Sequence, residues 1–135
     1  MGLRAVLFIA LACFLGGAAF LLQSRPKPDD DPRVRDYSEA IRYTPWLPEA
    51  YVNRGVAWAR LGEFDRAIAD YDEALRRKPD LRTAYITRGM AWERKRDYPR
   101  AIADYGQAAR LSSERGARRY LQKIDALEAM SRVRS

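Results

Sequence analysis

The sequence predicts an all-α fold: an α-solenoid of about six antiparallel helices that follows an N-terminal apolar helix. Three observations lead to this prediction. Residues 82–115 repeat the pattern of residues 48–81, and the apolar residues of each copy recur at helical spacing. No stretch of the chain alternates apolar and polar residues in the manner of a strand.

The repeat can be followed position by position. The two copies begin at positions 48 and 82, so the repeat period is 34 residues. Fifteen of the thirty-four paired positions are identical. The shared aromatic and small residues are Tyr51, Gly55, Trp58, Ala67, Tyr71 and Ala74, matched by Tyr85, Gly89, Trp92, Ala101, Tyr105 and Ala108. A fixed period of this size is typical of a repeat array, whose core forms between neighbouring units.

Each copy is predicted to form a helical hairpin. Tyr51, Gly55 and Trp58 fall at i, i+4 and i+7, which places them on one face of a helix. A second set with the same spacing follows in each copy. Gly62 separates the two helices of the first copy, where a positive φ is tolerated, and Asp65 is predicted to cap the second helix.

The order of these residues resembles a known repeat. The first copy contains Tyr51-x2-Arg54-Gly55-x2-Trp58, then Ala67-x3-Tyr71, then Pro79. This is similar to the 34-residue tetratricopeptide repeat (TPR) pattern, W-x2-L-G-x2-Y, then A-x3-F, then P. Arg54 and Arg88 stand where the pattern has Leu, and we expect their stems to cover the groove with their charged heads in water. Ser113 replaces the closing Pro of the second copy.

Incomplete units flank the two copies. Tyr37, Ala40 and Pro45 lie one repeat period before their counterparts in the first copy, so residues 32–47 resemble the second half of a repeat. Asp31 followed by Pro32 predicts the start of that helix. The predicted domain therefore spans residues 32–132, with full repeats at 48–81 and 82–115.

A last helix is predicted at residues 113–132, with Ser112 or Ser113 as its cap. Tyr120, Ile124 and Leu127 form its apolar stripe. The helix lacks the glycine of the repeat pattern, and we expect it to close the array with its polar side outward.

The N-terminus is predicted to be a transmembrane anchor or a signal peptide, residues 1–24, joined to the domain by an extended linker, residues 25–31. Residues 5–22 are 18 positions without a charged side chain, the lower limit of a membrane span. Cleavage after Ala19 is the alternative. The expected location is a membrane-anchored domain on the extracytoplasmic side, periplasmic in a bacterium, or a secreted or periplasmic soluble domain after cleavage.

The composition argues against catalysis. The chain has no histidine, and its single cysteine, Cys13, lies in the apolar segment. A nucleophile paired with histidine and a His/Cys zinc site therefore cannot be built. Asp70 and Asp104 occupy equivalent places in the two copies, which indicates a role in the architecture. We predict no enzyme activity, no catalytic or metal-binding residues and no cofactor.

The TPR resemblance implies that the first helix of each repeat lines a concave groove for a peptide. Carried onto this sequence, the candidate groove residues are Val52, Asn53, Val56, Arg60, Ile86, Thr87, Met90 and Arg94. Asn53 could pair with a peptide backbone, while Arg60 and Arg94 could hold a carboxylate. The expected function is a membrane-tethered or exported adaptor that binds an unidentified protein or peptide.

Residues 110–135 suggest an alternative, because they contain seven basic and three acidic residues. The protein would then be a structural element that contacts an anionic lipid surface through its last helix. Self-association is also left open. Nucleic acid is not an expected partner, since the leader argues against access to it.

Overall fold

The computed structural model describes residues 27–133, and this part of the chain confirms the predicted all-α solenoid. It contains no strand and forms six α-helices after a short 3-10 turn at Pro28–Asp30. The helices are α1 (Pro32–Tyr43), α2 (Pro48–Arg60), α3 (Phe64–Arg77), α4 (Arg82–Arg94), α5 (Tyr98–Arg110) and α6 (Glu114–Arg132). The 3-10 turn interrupts the predicted extended linker, and Asp29 within it forms an ion pair with Arg66 at 2.7 Å.

Each helix packs against the helix before it and the helix after it. The pairs α2–α3 and α4–α5 are the two predicted hairpins, α1 packs on α2, and α6 packs on α5. α2 also contacts α4, so the first helices of the two full repeats lie side by side. This arrangement places one row of helices along one side of the domain, where a shared surface can form.

An aromatic ring on a glycine joins the two helices of each hairpin. Tyr71 of α3 is 1% exposed and lies over Gly55 of α2, and Tyr105 of α5 is 3% exposed and lies over Gly89 of α4. A Cβ atom built at Gly55 would lie 2.6 Å from the Tyr71 ring. Only glycine therefore allows the helices to approach this closely at the first contact.

Arg54 and Arg88, the two arginines of the motif, each form an ion pair next to this contact, and the prediction that their charged heads lie in water is wrong. The Arg54 guanidinium donates from Nε and Nη2 to both carboxylate oxygens of Asp70, at 2.8 and 2.7 Å. Arg88 binds Asp104 in the same way, at 2.9 and 2.7 Å. The charged heads do not extend into water, as we had expected, because a buried carboxylate in the same repeat binds each of them.

The same arginines also reach the preceding unit. The Nη1 atom of Arg54 donates to the Ser38 hydroxyl on α1 at 3.2 Å, and that of Arg88 donates to Asp72 on α3. Ser38 and Asp72 are separated by one repeat period, so these contacts recur with the sequence. Each arginine thus connects three helices.

The two tryptophans of the motif share a contact with an arginine. The Arg66 guanidinium lies 4.6 Å from the centre of the Trp58 ring, and that of Arg100 lies 4.5 Å from the centre of the Trp92 ring. Trp58 belongs to the larger core cluster, whereas Trp92 packs against both this cluster and a second one that contains Leu127. The core is therefore continuous along the array.

The helix caps agree with the sequence only in part. The Asp31 carboxylate accepts a hydrogen bond from the Arg33 amide at 2.9 Å, and the Asp97 carboxylate accepts one from the Arg100 amide at 3.2 Å. The predicted cap at Asp65 is wrong, because α3 begins one residue earlier at Phe64. Ser113 precedes α6 but makes no side-chain capping bond.

The two turns inside the hairpins differ in one residue. Gly62 has a φ of 82° between α2 and α3, and Arg96, its counterpart one repeat period later, has a φ of 62° between α4 and α5. Glycine adopts this left-handed conformation without strain, whereas a residue with a Cβ atom is strained by roughly 1–2 kcal/mol.

The predicted anchor or signal peptide, residues 1–24, lies outside the described residues. Within residues 27–133 no helix is long and apolar enough to cross a membrane. The longest of them, α6, has 19 residues and carries charged side chains along its length. For the part of the chain that the structure describes, this finding contradicts the predicted localisation as a membrane-anchored extracytoplasmic domain.

The glycine contact can be tested with three alanine variants. Gly55→Ala should lower the free energy of unfolding by about 1–3 kcal/mol, because the added Cβ would lie 2.6 Å from the buried Tyr71 ring and force it to shift. Gly89→Ala should lower it less, since the nearest ring atom there is 3.2 Å from the added Cβ. Urea unfolding followed by circular dichroism measures both changes.

Gly106 on α5 provides the matched control, because no atom lies within 4 Å of a Cβ added there. Gly106→Ala should leave the stability unchanged or raise it by up to about 1 kcal/mol, as expected for a helix interior. A loss at Gly106 as large as that at Gly55 would contradict the close helix contact.

The buried ion pair gives a second prediction. Asp104→Asn should lower the free energy of unfolding by roughly 3 kcal/mol, because it leaves the Arg88 guanidinium without its main partner. Asp72→Asn is the control: the Asp72 side chain is 51% exposed, so a change below about 1 kcal/mol is expected. Equal effects of the two substitutions in thermal or urea unfolding would show that burial of the pair does not matter.

Candidate functional site

Two adjoining cavities follow the row formed by α2, α4 and α6. The first has a volume of about 250 Å³ and lies between α2 and α4; residues that line it include Val56, Arg60, Phe64, Thr87, Met90 and Arg94. The second has a volume of about 550 Å³ and lies between α4 and α6; residues that line it include Ile86, Met90, Arg94, Arg119, Tyr120 and Lys123. Met90 and Arg94 line both cavities, which therefore form one continuous groove.

The structure brings most of the predicted site residues to this groove. Six of the eight line one cavity or both: Val56, Arg60, Ile86, Thr87, Met90 and Arg94. Val52 is 8% exposed and belongs to the core cluster, so its side chain serves packing. Asn53 is exposed but lines neither cavity.

Three groove residues on α6 were missed from the sequence. Arg119, Tyr120 and Lys123 form one wall of the second cavity. The repeat pattern did not place them there, because α6 lacks the glycine and the paired aromatic residues of the repeat. α6 packs on α5 and lines the second cavity together with α4.

The groove carries positive charge that the domain leaves unneutralised. No carboxylate in residues 27–133 forms an ion pair with Arg60, Arg94 or Arg119. The Arg94 guanidinium lies 5.3 Å from the centre of the Phe64 ring, which holds it beside the first cavity. These three cations are available to an anionic ligand.

The one carboxylate that lines the groove is already bonded. Glu93 accepts a hydrogen bond from the Lys123 Nζ at 2.9 Å and another from the Tyr105 hydroxyl at 3.0 Å. The Tyr105 and Tyr120 rings stack at 6.3 Å with an angle of 11° between their planes. This network connects α4, α5 and α6 and fixes the wall of the second cavity.

The tyrosines on the floor of the groove stay uncharged over a wide pH range. Burial raises the pKa of Tyr71 to about 12. Burial is also the main reason that the pKa of Tyr105 is raised, and the nearby Glu93 carboxylate adds to this effect. Both rings therefore contribute an apolar surface below the arginines.

The groove combines an apolar floor with a cationic rim. Met90 is 55% exposed at the junction of the two cavities, with Val56 and Ile86 on either side. Within the described range 27–133, no cluster of three or more acidic, histidine or cysteine side chains could hold a metal ion. The arrangement is suited to binding an apolar side chain together with a carboxylate.

The fold and the groove define an α-solenoid binding module of the helical-repeat class. One repeat of the chain, residues 48–81, matches the tetratricopeptide repeat model. The first full repeat of this chain is thus a tetratricopeptide repeat, and the described helices form a TPR-like solenoid. No curated protein shows significant similarity to the sequence.

Solved TPR domains share this architecture. The TPR domain of Arabidopsis OM64 is 29% identical with a TM-score of 0.63, over 69% of this chain and 78% of that one. The TPR2B domain of yeast Sti1, in a pHsp70 complex, is 27% identical with a TM-score of 0.65, over 93% and 98% of the two chains. The first TPR of Spaghetti (RPAP3), bound to the HSP90 peptide SRMEEVD, is 23% identical with a TM-score of 0.67, over 90% and 91%, and shows the fold alone.

The raised tyrosine pKa predicts how stability depends on pH. The folded state holds the Tyr71 proton up to about pH 12, whereas the unfolded chain releases it near 10.0. The stabilisation is therefore complete below pH 10 and is lost as the pH rises from 10 towards 12. Urea unfolding at pH 8, 10 and 11 should show this loss.

Tyr71→Phe should make the decline between pH 10 and 11 shallower. Tyr43→Phe is the control, because Tyr43 is 73% exposed and its removal should leave the pH profile unchanged. Identical profiles for the native protein and Tyr71→Phe would contradict the assigned role of Tyr71.

Proposed function

We propose that this protein is a protein–protein interaction adaptor that binds a short acidic segment of its partner in the groove. The observation that carries the proposal is the set of unpaired arginines, Arg60, Arg94 and Arg119, around an apolar floor. Arginine binds carboxylates with directed, charge-assisted hydrogen bonds, so these side chains favour an anionic ligand over a neutral one.

The two cavities suggest how such a segment is recognised. The smaller one, about 250 Å³, has the size and apolar lining for one large aliphatic side chain. The larger one, about 550 Å³, presents Arg119 beside Arg94 and suits acidic side chains or a terminal carboxylate. The ligand would therefore combine one aliphatic anchor with neighbouring negative charges.

The structural neighbours support this class of ligand. The RPAP3 domain is bound to the peptide SRMEEVD, which contains three acidic residues and aliphatic side chains, and the yeast Sti1 domain is in a pHsp70 complex. Three helices of the present chain supply the cations, so the groove is complete with two full repeats and α6.

The position of the basic residues on α6 also bears on the alternative, contact with an anionic lipid surface. Arg119 and Lys123 line the groove, whereas Arg115 and Arg118 line a separate cavity at the start of the helix. The positive charge of α6 is thus divided between two surfaces, and the groove takes two of its cations. We therefore favour an acidic peptide as the ligand, and binding to a lipid surface is tested beside it.

The test uses a fluorescently labelled SRMEEVD peptide as the probe, with affinity measured by anisotropy. Arg94→Ala, which alters both cavities, should weaken binding by about tenfold or more, the effect expected for losing a charge-assisted hydrogen bond. Arg115→Ala removes the same charge outside the groove and should change the affinity less than threefold at physiological salt, because exposed charges at a distance are screened.

Equal losses for Arg94→Ala and Arg115→Ala, or no measurable binding of the peptide, would argue against the groove as an acidic-peptide site. Vesicles that contain anionic lipid are tested in parallel. Binding to these vesicles that depends on Arg115 and Arg118 but not on Arg94 would favour the lipid surface instead.

A further inference from the structure

α1 is half of a repeat, and no helix within residues 27–133 packs on the face that would meet its own first helix. Asp36, Tyr37 and Ala40 lie one repeat period before their counterparts on α3 and two before those on α5. In both full repeats the aspartate and the tyrosine of this set hold an Arg-Gly pair on the preceding helix. The structure thus shows twice what an Asp-Tyr face of this kind binds.

The same side chains on α1 have no such partner. Asp36 is exposed and forms no ion pair with any residue in the described part of the chain, whereas Asp70 and Asp104 are 6% and 4% exposed. Among the described residues, the main packing partners of α1 are α2 and the 3-10 turn. The carboxylate that binds arginine in the full repeats is available here.

Two large aromatic side chains extend the open face. Tyr43 is 73% exposed and Trp46 is 71% exposed. Tyr43 corresponds to Arg77, whose guanidinium lies 4.2 Å from the centre of the Tyr51 ring on the first helix of its own repeat. The position of Tyr43 is therefore one that contacts the first helix when that helix is present.

We propose that this face, Asp36, Tyr37, Ala40 and Tyr43, docks a helix of a partner protein that carries a basic residue directly followed by glycine. The incoming helix would complete the first repeat from outside the chain. Its arginine would bind both oxygens of the Asp36 carboxylate, as Arg54 binds Asp70, and its glycine would accept the Tyr37 ring. The face lies on α1, apart from the groove formed by α2, α4 and α6, so this docking is independent of the acidic-peptide site.

One residue distinguishes α1 from its counterparts and sets a limit on the affinity. Arg33 takes the place of Ala67 and Ala101, which are both 0% exposed where the helices of each hairpin meet. Its guanidinium is bonded to Asp31 at 3.2 and 3.3 Å, and its side chain is 51% exposed. Arg33 must move aside for a close approach, so its removal should favour docking.

The test uses a labelled peptide with the sequence of residues 47–62, which contains the Arg-Gly helix of the first repeat. A side-chain staple between peptide positions 49 and 53, both exposed in the folded protein, keeps this short segment helical. Binding to the full chain is measured by anisotropy. Asp36→Asn should weaken binding about tenfold, and Arg33→Ala should strengthen it several-fold.

Two controls separate this contact from general attraction. Glu39→Gln removes an equal charge elsewhere on α1 and should leave the affinity unchanged, and a peptide with Arg54→Glu should not bind. Asp36 is exposed and has no ion pair in residues 27–133, so the thermal midpoint of Asp36→Asn should equal that of the native protein.

The proposal fails if the peptide does not bind, which includes the case in which another part of the chain covers the face. It also fails if Asp36→Asn and Glu39→Gln weaken binding equally. A concentration-dependent dimer that the peptide dissociates would overturn it in favour of a second copy of this chain. Because the peptide and variants differ from those used for the groove, failure here leaves the acidic-peptide proposal unaffected.

Discussion

The structure depends on a paired contact between the two helices of each hairpin: an arginine held by an aspartate, next to a tyrosine ring that covers a glycine. Arg54 and Gly55 are adjacent on α2, and Asp70 and Tyr71 are adjacent on α3, so both contacts occur at one crossing point. The glycine fixes the distance between the helices, while the bidentate pair fixes their register. Because the arginine also bonds to the preceding unit, the same crossing sets the angle between repeats.

Only some of the contacts at this crossing could be predicted from the sequence. The repeat period identified the hairpins, the glycines and the aromatic positions, because these follow from local helical geometry. It did not identify the partner of Arg54, since the pattern has an apolar residue at that position and Asp70 lies on another helix. The side of α6 that lines the groove was also missed, because α6 lacks the motif that marks this side in the full repeats.

The groove residues also divide into those that the sequence could predict and those that it could not. Its cations on α2 and α4 were predictable, because they occupy repeated positions on the first helix of each unit. Arg119 and Lys123 were not, since they come from a helix that lacks the motif. The Asn53 and Val52 predictions show the converse problem: a groove carried over from a family resemblance does not distinguish a side chain that enters the core from one that faces solvent.

The left-handed Arg96 makes the two hairpins unequal. Its counterpart in the first hairpin is a glycine, so the strain at this turn is confined to the α4–α5 pair. This strain lowers the free energy needed to separate α4 from α5. Amide protons in this pair should therefore exchange sooner than those of α2 and α3. Since α4 supplies Ile86, Met90 and Arg94, the hairpin with the strained turn also lines both cavities of the groove, and a ligand bound there would oppose its opening.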